Sequence, residues 1–320
     1  MGKKSDKRSK KSQGKSGSAE VDAAEAVEAP EAMDPEGPVE LRPRELLRLP
    51  EGAVTLAQLS TERLPGMPTD KAEAAELMAE MAPRLAEMQE KLFAASTAGD
   101  RRRVLLVLQG MDTAGKDGVI KHAMGLFDPA GVALTSFKKP TADELEHDFL
   151  WRIERQVPVP GTIGVFNRSQ YEDVLIARVH DLVPKAVWSK RYAQINAFER
   201  KVARSGVIIV KCFLHVSYEV QGERLEARLD DPSKHWKFNP ADIDERAYWD
   251  AYQEAYRVAL TRCSTTVAPW FVIPSDHKWY RNWAVAALLL ETLEAMDLHY
   301  PSAPYDVAKE KIRLAAQSGT

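Results

Sequence analysis

The sequence predicts an α/β protein: a five-stranded parallel sheet flanked by helices, with a helical insertion ahead of the last strand. Three observations carry that reading. Short apolar runs alternate with helical patterns through most of the chain, the order that produces parallel strands joined by crossover helices. The first apolar run, Val104 to Leu108, opens into Gly110-Met-Asp-Thr-Ala-Gly-Lys-Asp-Gly118 and then a helical pattern. After His215-Val-Ser217 come about fifty residues with no strand signal, rich in basic and aromatic side chains.

From the N-terminus, residues 1 to about 60 differ from the rest and are expected to be a disordered tail. Lys3, Lys4, Lys7, Arg8, Lys10, Lys11 and Lys15 sit among Ser and Gly, and an acidic Ala/Glu/Pro stretch follows through Pro35-Glu-Gly-Pro38. Neither block can bury a core. The plain reading of the basic arm is a solubilising tail; the sharper one is a tether for a polyanion. Asp70-x-x-Glu73 then caps a helix carrying Leu77 and Met81, and Pro83 either ends it or starts the next turn. Leu85, Met88 and Leu92 continue an apolar stripe at helical spacing.

The first strand, Val104 to Leu108, is followed by a helix from about Lys116 to Leu126 that stops at Asp128-Pro-Ala-Gly131. Val132 to Phe137 reads as the second strand, residues 142–155 as helix, and Gly161 to Phe166 as the third strand. A helix at about 186–203 precedes the fourth strand, Gly206 to Phe213; Trp270 to Ile273 is the fifth, followed by a helix through Trp283 to Met296. The insertion, about residues 217–262, suits a lid that closes over a ligand and expels water. Its aromatic row, Tyr248, Tyr252 and Tyr256, has helical spacing and reads as lid packing ahead of base stacking. The main domain is placed at 65–300, with 301–320 as a C-terminal extension.

Gly110, four residues and Gly115-Lys116 have the spacing of a phosphate-binding loop. The glycines let the backbone turn tightly and aim its N–H groups at one anion, and the next helix adds its N-terminal dipole. Lys116 reaches the phosphates as a point charge. Asp117 stands where Ser or Thr usually holds Mg²⁺; a carboxylate is also a hard oxygen ligand. Asp112, inside the loop, would repel phosphates unless a metal bridges them. Past the third strand, Arg168 is placed to clamp a phosphoryl group in a forked geometry, and Glu172 to orient metal or acceptor. Asn167 stands where many ATPases carry an acidic residue, and nothing in the pattern activates water. Phosphoryl transfer is therefore expected ahead of hydrolysis.

These blocks resemble the polyphosphate kinase 2 family. The matching stretches are Gly110 to Gly118, Thr135-Ser-Phe-Lys-Lys-Pro-Thr141, Phe166-Asn-Arg-Ser-Gln-Tyr-Glu-Asp-Val-Leu175, Phe213-Leu-His-Val-Ser217, Arg228-Leu-Asp-Asp-Pro-Ser-Lys-His-Trp-Lys-Phe238, and Ala268-Pro-Trp-Phe-Val-Ile-Pro274 with Lys278-Trp-Tyr280. The resemblance implies a P-loop kinase fold with a helical lid and transfer of phosphoryl groups between inorganic polyphosphate and nucleotides, with Mg²⁺ or alternatively Mn²⁺. Asn167-Arg-Ser-x-Tyr-Glu172 resembles the subgroup acting on both nucleoside mono- and diphosphates. On that resemblance, Asp112, Asn167, Arg168 and Glu172 shape the nucleotide and metal site; the loop chemistry itself offers Asp112 and Asp117 as metal ligands. Lys116, Arg228, Lys234 and Lys237 face polyphosphate, and Gly110, Ala114, Gly115, Gly118 and Lys138 complete the binding set. The implied partners are polyphosphate, adenine nucleotides and a second copy of the chain. Gln170 stands where the family often has His.

Composition bounds the alternatives. A chain of 320 residues with net charge −3 and 44% hydrophobic residues suits a globular protein and argues against a dedicated nucleic-acid binder. Cys212 and Cys263 lie far apart and form no metal spacing, so a reducing cytoplasm is expected. No apolar stretch reaches membrane-spanning length, there is no secretory h-region, and Asp6 breaks the myristoylation pattern begun by Met1-Gly2. An ATP-dependent nucleoside monophosphate kinase is the nearest competing enzyme, separated by donor choice. A non-catalytic polyphosphate-binding protein is the competitor of another class, separated by indifference to Mg²⁺ and to loss of Lys116.

Overall fold

Strand β1 (Arg103–Gln109) is buried along its whole length at the centre of one parallel sheet. In this computed structural model, described over residues 42–317 apart from 51 and 67, the sheet has the order β2-β3-β1-β4-β5. The other strands are β2 (Val132–Ser136), β3 (Ile163–Asn167), β4 (Val207–His215) and β5 (Trp270–Pro274). Burial on both faces is why β1 reads as a continuous apolar run rather than an alternating one. Its register sets Leu108 beside Asn167 and Gln109 beside Phe213, while Ser136 pairs with Asn167. The loops after β1, β2, β3 and β4 therefore open on one carboxyl edge, where ligands of such sheets bind.

Helix Lys71–Thr97 begins as expected: Asp70 Oδ1 accepts from the N–H groups of Ala72 and Glu73. The return arm of the cap reaches one residue further out, Glu73 Oε2 accepting from Thr69 N and Oγ1. The helix runs through Pro83 without ending there. Pro83 lies on the exposed face, where water can meet the carbonyl that loses its partner, and buried Met81, Leu85 and Leu92 keep the other face packed. This helix packs against the apolar helix Lys278–Glu294.

Two expectations are corrected. Residues 142–155 form two short helices, Ala142–Leu145 and Trp151–Glu154. Asp148 Oδ1 takes the N–H of Leu150, a local bond that competes with helix continuation. The tail expected over 1–60 ends sooner: Leu47, Leu49, Val54 and Leu56 are buried in the main core. Leu49 N donates to Trp270 O and Val272 N to Leu47 O, so this segment covers the open edge of β5. The basic and acidic blocks through Pro38 lie outside the described residues. The insertion after β4 consists of helices Tyr218–Leu229, Ala241–Arg246 and Trp249–Cys263, with a 3₁₀ turn at Pro232–Lys237. An exposed helix, Val307–Gln317, ends the described chain. No helix among the described residues is long and apolar enough to cross a membrane.

Candidate active site

The loop after β1 reaches its shape through two left-handed residues, Thr113 at φ 64° and Gly115 at φ 107°, before helix Lys116–His122. A side chain at Gly110 would approach Leu214 O to 2.7 Å, so only glycine fits there. Lys116 folds back over the loop, its Nζ donating to Gly110 O at 2.8 Å and Met111 O at 3.3 Å. Burial holds its ammonium below the ordinary lysine range, against the pull of Asp112.

Arg168 follows β3, also left-handed at φ 64°. A non-glycine residue held there stores strain that its surroundings must enforce. Arg168 Nη2 donates to Asp112 Oδ1 at 3.1 Å, and Asn167 Nδ2 to Asp117 Oδ1 at 3.0 Å. Two adjacent residues of one loop thus hold the two carboxylates of the other. Burial works against the Arg168 charge, but Glu172 and Asp112 outweigh it and raise its pKa.

These elements enclose a cavity of about 600 Å³. Its walls carry Lys116, Lys138 and Arg168, the insertion residues Arg224, Arg228, Lys234 and Lys237, and Lys278 and Arg281 from the helix after β5. Nine basic side chains face three carboxylates, Asp112, Asp117 and Asp242. The cations feel one another: Lys278 is lowered by burial and then by Arg224, Arg281, Lys234 and Arg228. A neighbouring cavity of about 210 Å³ shares Asp112, Arg168 and Asp242 and adds Glu172, Glu245, Tyr252, Tyr256 and Gly110. Its charge is the reverse of the first.

Of the residues singled out in the sequence, Asp112, Gly115, Lys116, Asp117, Gly118, Lys138, Asn167, Arg168, Arg228, Lys234 and Lys237 line the basic cavity. Gly110 and Glu172 line the acidic one. Ala114 lines neither; it is fully buried, and its carbonyl accepts from Arg224 Nη1 and Arg281 Nη1. Gln170 is also interior, donating to Glu199 Oε1, so its departure from the family's His falls outside both cavities. Tyr256 is buried in the core and Tyr252 donates to Glu245, and both edge the acidic cavity.

The sequence reading missed Arg281 and Asp242 and gave Lys278 and Arg224 no role. Arg281 is 3% exposed and presses on the loop: a methyl group at Gly118 would meet its Nη2 at 2.3 Å, and one at Gly115 its Nη1 at 1.7 Å. Burial, with help from Arg224, lowers its pKa to about 9. The available signal was an arginine inside an otherwise buried apolar helix. Arg224 ties the insertion to the loop after β1 and to the turn after β5, donating to Thr113 O at 2.9 Å and Asp276 O at 2.9 Å. Asp242 Oδ2 accepts from Arg228 Nη1 at 3.3 Å.

A phosphate loop at the carboxyl edge of a parallel sheet, with a basic helical insertion over it, defines a P-loop phosphotransferase-type α/β protein. Residues 68–301 match the Polyphosphate kinase 2 (PPK2) family, and the chain belongs to it. It is 45% identical over 263 residues to an AMP/ADP-polyphosphate phosphotransferase of Meiothermus ruber, covering 82% of this chain and 96% of that one. An ADP-polyphosphate phosphotransferase of Rhodopseudomonas palustris is 42% identical over 254 residues, 76% of this chain and 86% of that one. The crystal structure of Polyphosphate Kinase 2 from Arthrobacter aurescens TC1 superposes with a TM-score of 0.84 at 51% identity, covering 86% and 97% of the two chains.

Proposed function

We propose that this protein transfers a phosphoryl group between inorganic polyphosphate and AMP or ADP. The observation that carries the proposal is the basic cavity built on the phosphate loop, where burial first and neighbouring cations second lower the pKa of one member, Lys278. A linear polyanion relieves that repulsion along its length. The names borne by the Meiothermus and Rhodopseudomonas relatives support the same reaction.

In this reading Lys116, released from the carbonyls of Gly110 and Met111, neutralises the transferring phosphoryl group together with the loop amides. Arg168 clamps that group from the opposite side, and Arg228, Lys234 and Lys237 hold the polyphosphate under the lid at about 217–262. Glu172 orients the acceptor. Asp112 and Asp117 supply the hard oxygens that Mg²⁺ prefers. Among the described residues no group of three or more His, Cys, Asp or Glu is arranged to hold a metal alone, so phosphate and water would complete the shell. When bound, the ion offsets the repulsion between these carboxylates and phosphate. Two buried free cysteines, Cys212 and Cys263, support a reducing cytoplasmic setting. Assembly with a second copy belongs to the same proposal and is read by sedimentation.

The test supplies AMP or ADP with polyphosphate and Mg²⁺ and no ATP donor. Formation of ADP or ATP is the expected result. Product that forms only when ATP replaces polyphosphate would instead make the protein an ordinary nucleotide kinase.

A further inference from the structure

Beneath the 3₁₀ turn Gln170–Val174, which carries Glu172, lies a lysine in the middle of β4 with no exposure to solvent. Lys211 interrupts the apolar run Val207-Ile-Ile-Val. All three of its N–H groups are used, on three separate segments. They donate to Glu199 Oε2 at 2.7 Å, Tyr171 Oη at 2.8 Å and Cys263 O at 2.6 Å. Glu199, from helix Lys185–Arg204, is equally buried. Its Oε1 accepts from Tyr171 Oη at 2.8 Å and Gln170 Nε2 at 3.1 Å. Tyr171 thus donates to one partner and accepts from the other, closing a three-membered ring of charge-assisted bonds.

The surroundings do not require an ion pair for stability. Apolar groups of similar volume often replace a buried pair without loss. What the pair supplies is direction. Cys263 is the last residue of the returning lid helix Trp249–Cys263, whose terminal carbonyls lack helical partners and form the negative end of its dipole. Gln170 and Tyr171 lie two and three residues after Arg168, whose strained backbone needs outside enforcement. Gln109 Nε2 fixes Ser169 Oγ from the β1 side at 3.0 Å. Lys211 and Glu199 fix the same turn from the β4 side and tie it to the foot of the lid.

We propose that Lys211 and Glu199 are positioning residues for phosphoryl transfer, a buried clamp linking the base of the lid to the turn that presents Arg168 and Glu172. The inference rests on the reading that Arg168 and Glu172 face the transferring group. It predicts a change in kcat with binding and folding preserved, because neither residue lines either cavity.

The test uses the full chain in two forms. Tyr171→Phe removes only the bridging hydroxyl; Lys211→Met with Glu199→Gln removes the charges at nearly constant volume. Thermal midpoint, KM for polyphosphate and for ADP, and kcat are measured, with Arg168→Ala as reference. The expected result is kcat lowered about tenfold or more, as small misplacements of reacting groups produce, with both KM values within about threefold of wild type. Wild-type kcat in folded Tyr171→Phe, or kcat falling only in step with thermal midpoint and KM, would overturn the proposal. If the double variant does not fold, Tyr171→Phe decides alone. Full activity of Arg168→Ala would instead overturn the underlying site assignment, so the two failures are distinguishable.

Discussion

Gly118 and Arg281 make the loop's dependence on a distant helix measurable. Gly118 lies in the first turn of helix Lys116–His122, at a φ open to any residue, so alanine there should favour the helix by about 0.5–1 kcal/mol. Arg281 reverses the sign. The new methyl would sit 2.3 Å from its Nη2, and an ordinary contact needs roughly 1 Å more. That shift would break the bonds from Nη2 to Asn282 Oδ1 at 2.9 Å and from Nη1 to Ala114 O at 3.1 Å. Each charged bond is worth about 1.5–3 kcal/mol. With each bond taken at the low end and the helix gain subtracted, Gly118→Ala should destabilise the wild type by about 2 kcal/mol.

In an Arg281→Met background the clash is gone, and the same substitution should be neutral or stabilising. A double-mutant cycle by urea unfolding reads the difference directly, with an expected coupling of about 3 kcal/mol, the low-end value of the two lost bonds. The companion assay is KM for polyphosphate, which should rise in Arg281→Met because a cavity-lining cation is lost. Equal cost of Gly118→Ala in both backgrounds would refute the argument, since it would mean that the guanidinium does not bear on the loop.

The other predictions follow from the same geometry. Lys116→Ala and Asp112→Ala should each lower kcat at least about 10²-fold, the cost of removing a group that stabilises developing charge; near-wild-type turnover in either rejects the role assigned to it. Raising the pH removes the Lys116 cation, and burial brings this about below lysine's ordinary value of about 10.4. The alkaline limb of kcat/KM should therefore begin below that value, while the limb of kcat lies higher because bound phosphates favour the charged form; coincident limbs near 10 or above count against it. Polyphosphate without nucleotide should raise the thermal midpoint, more at low salt than at high, because it binds the folded cavity and has no comparable site on the unfolded chain. A salt-independent shift would point to a contact other than the cationic wall.

What was legible in the sequence was local. The glycine spacing around Lys116, the apolar run of β1 and the polar block after β3 each report on neighbours in the chain, and the parallel sheet orders them onto one edge. Arg281 was hidden because it sits more than 160 residues from the loop it supports, inside a helix whose composition signals only burial. The extent of the tail was misread for a related reason. Residues 47–56 have a composition that does not demand order, and they fold because β5 offers an unpaired edge and an apolar surface to cover. The break in residues 142–155 turned on one Asp148 side-chain bond, which periodicity does not register.

The division of charge across the site explains why these distant pieces belong together. A phosphate loop alone holds one short anion, and its amides and single lysine are local. A long polyanion needs cations spread along a wall. Here they come from the turn after β2, the turn after β3, the lid and the helix after β5. None of these segments carries enough charge to gather such a chain by itself, and together they repel, which adds to the burial that already lowers Lys278. The repulsion is tolerable because Asp112, Asp117 and Asp242 are interleaved, each bonded to a residue of another segment: Arg168, Asn167 and Arg228. Those three bonds stitch β1 to β3 and the two sides of the helical insertion. On the proposed function, a polyphosphate in the cavity would compete with these carboxylates for Arg168 and Arg228, so the interleaved bonds set how readily the cationic wall takes up a polyanion.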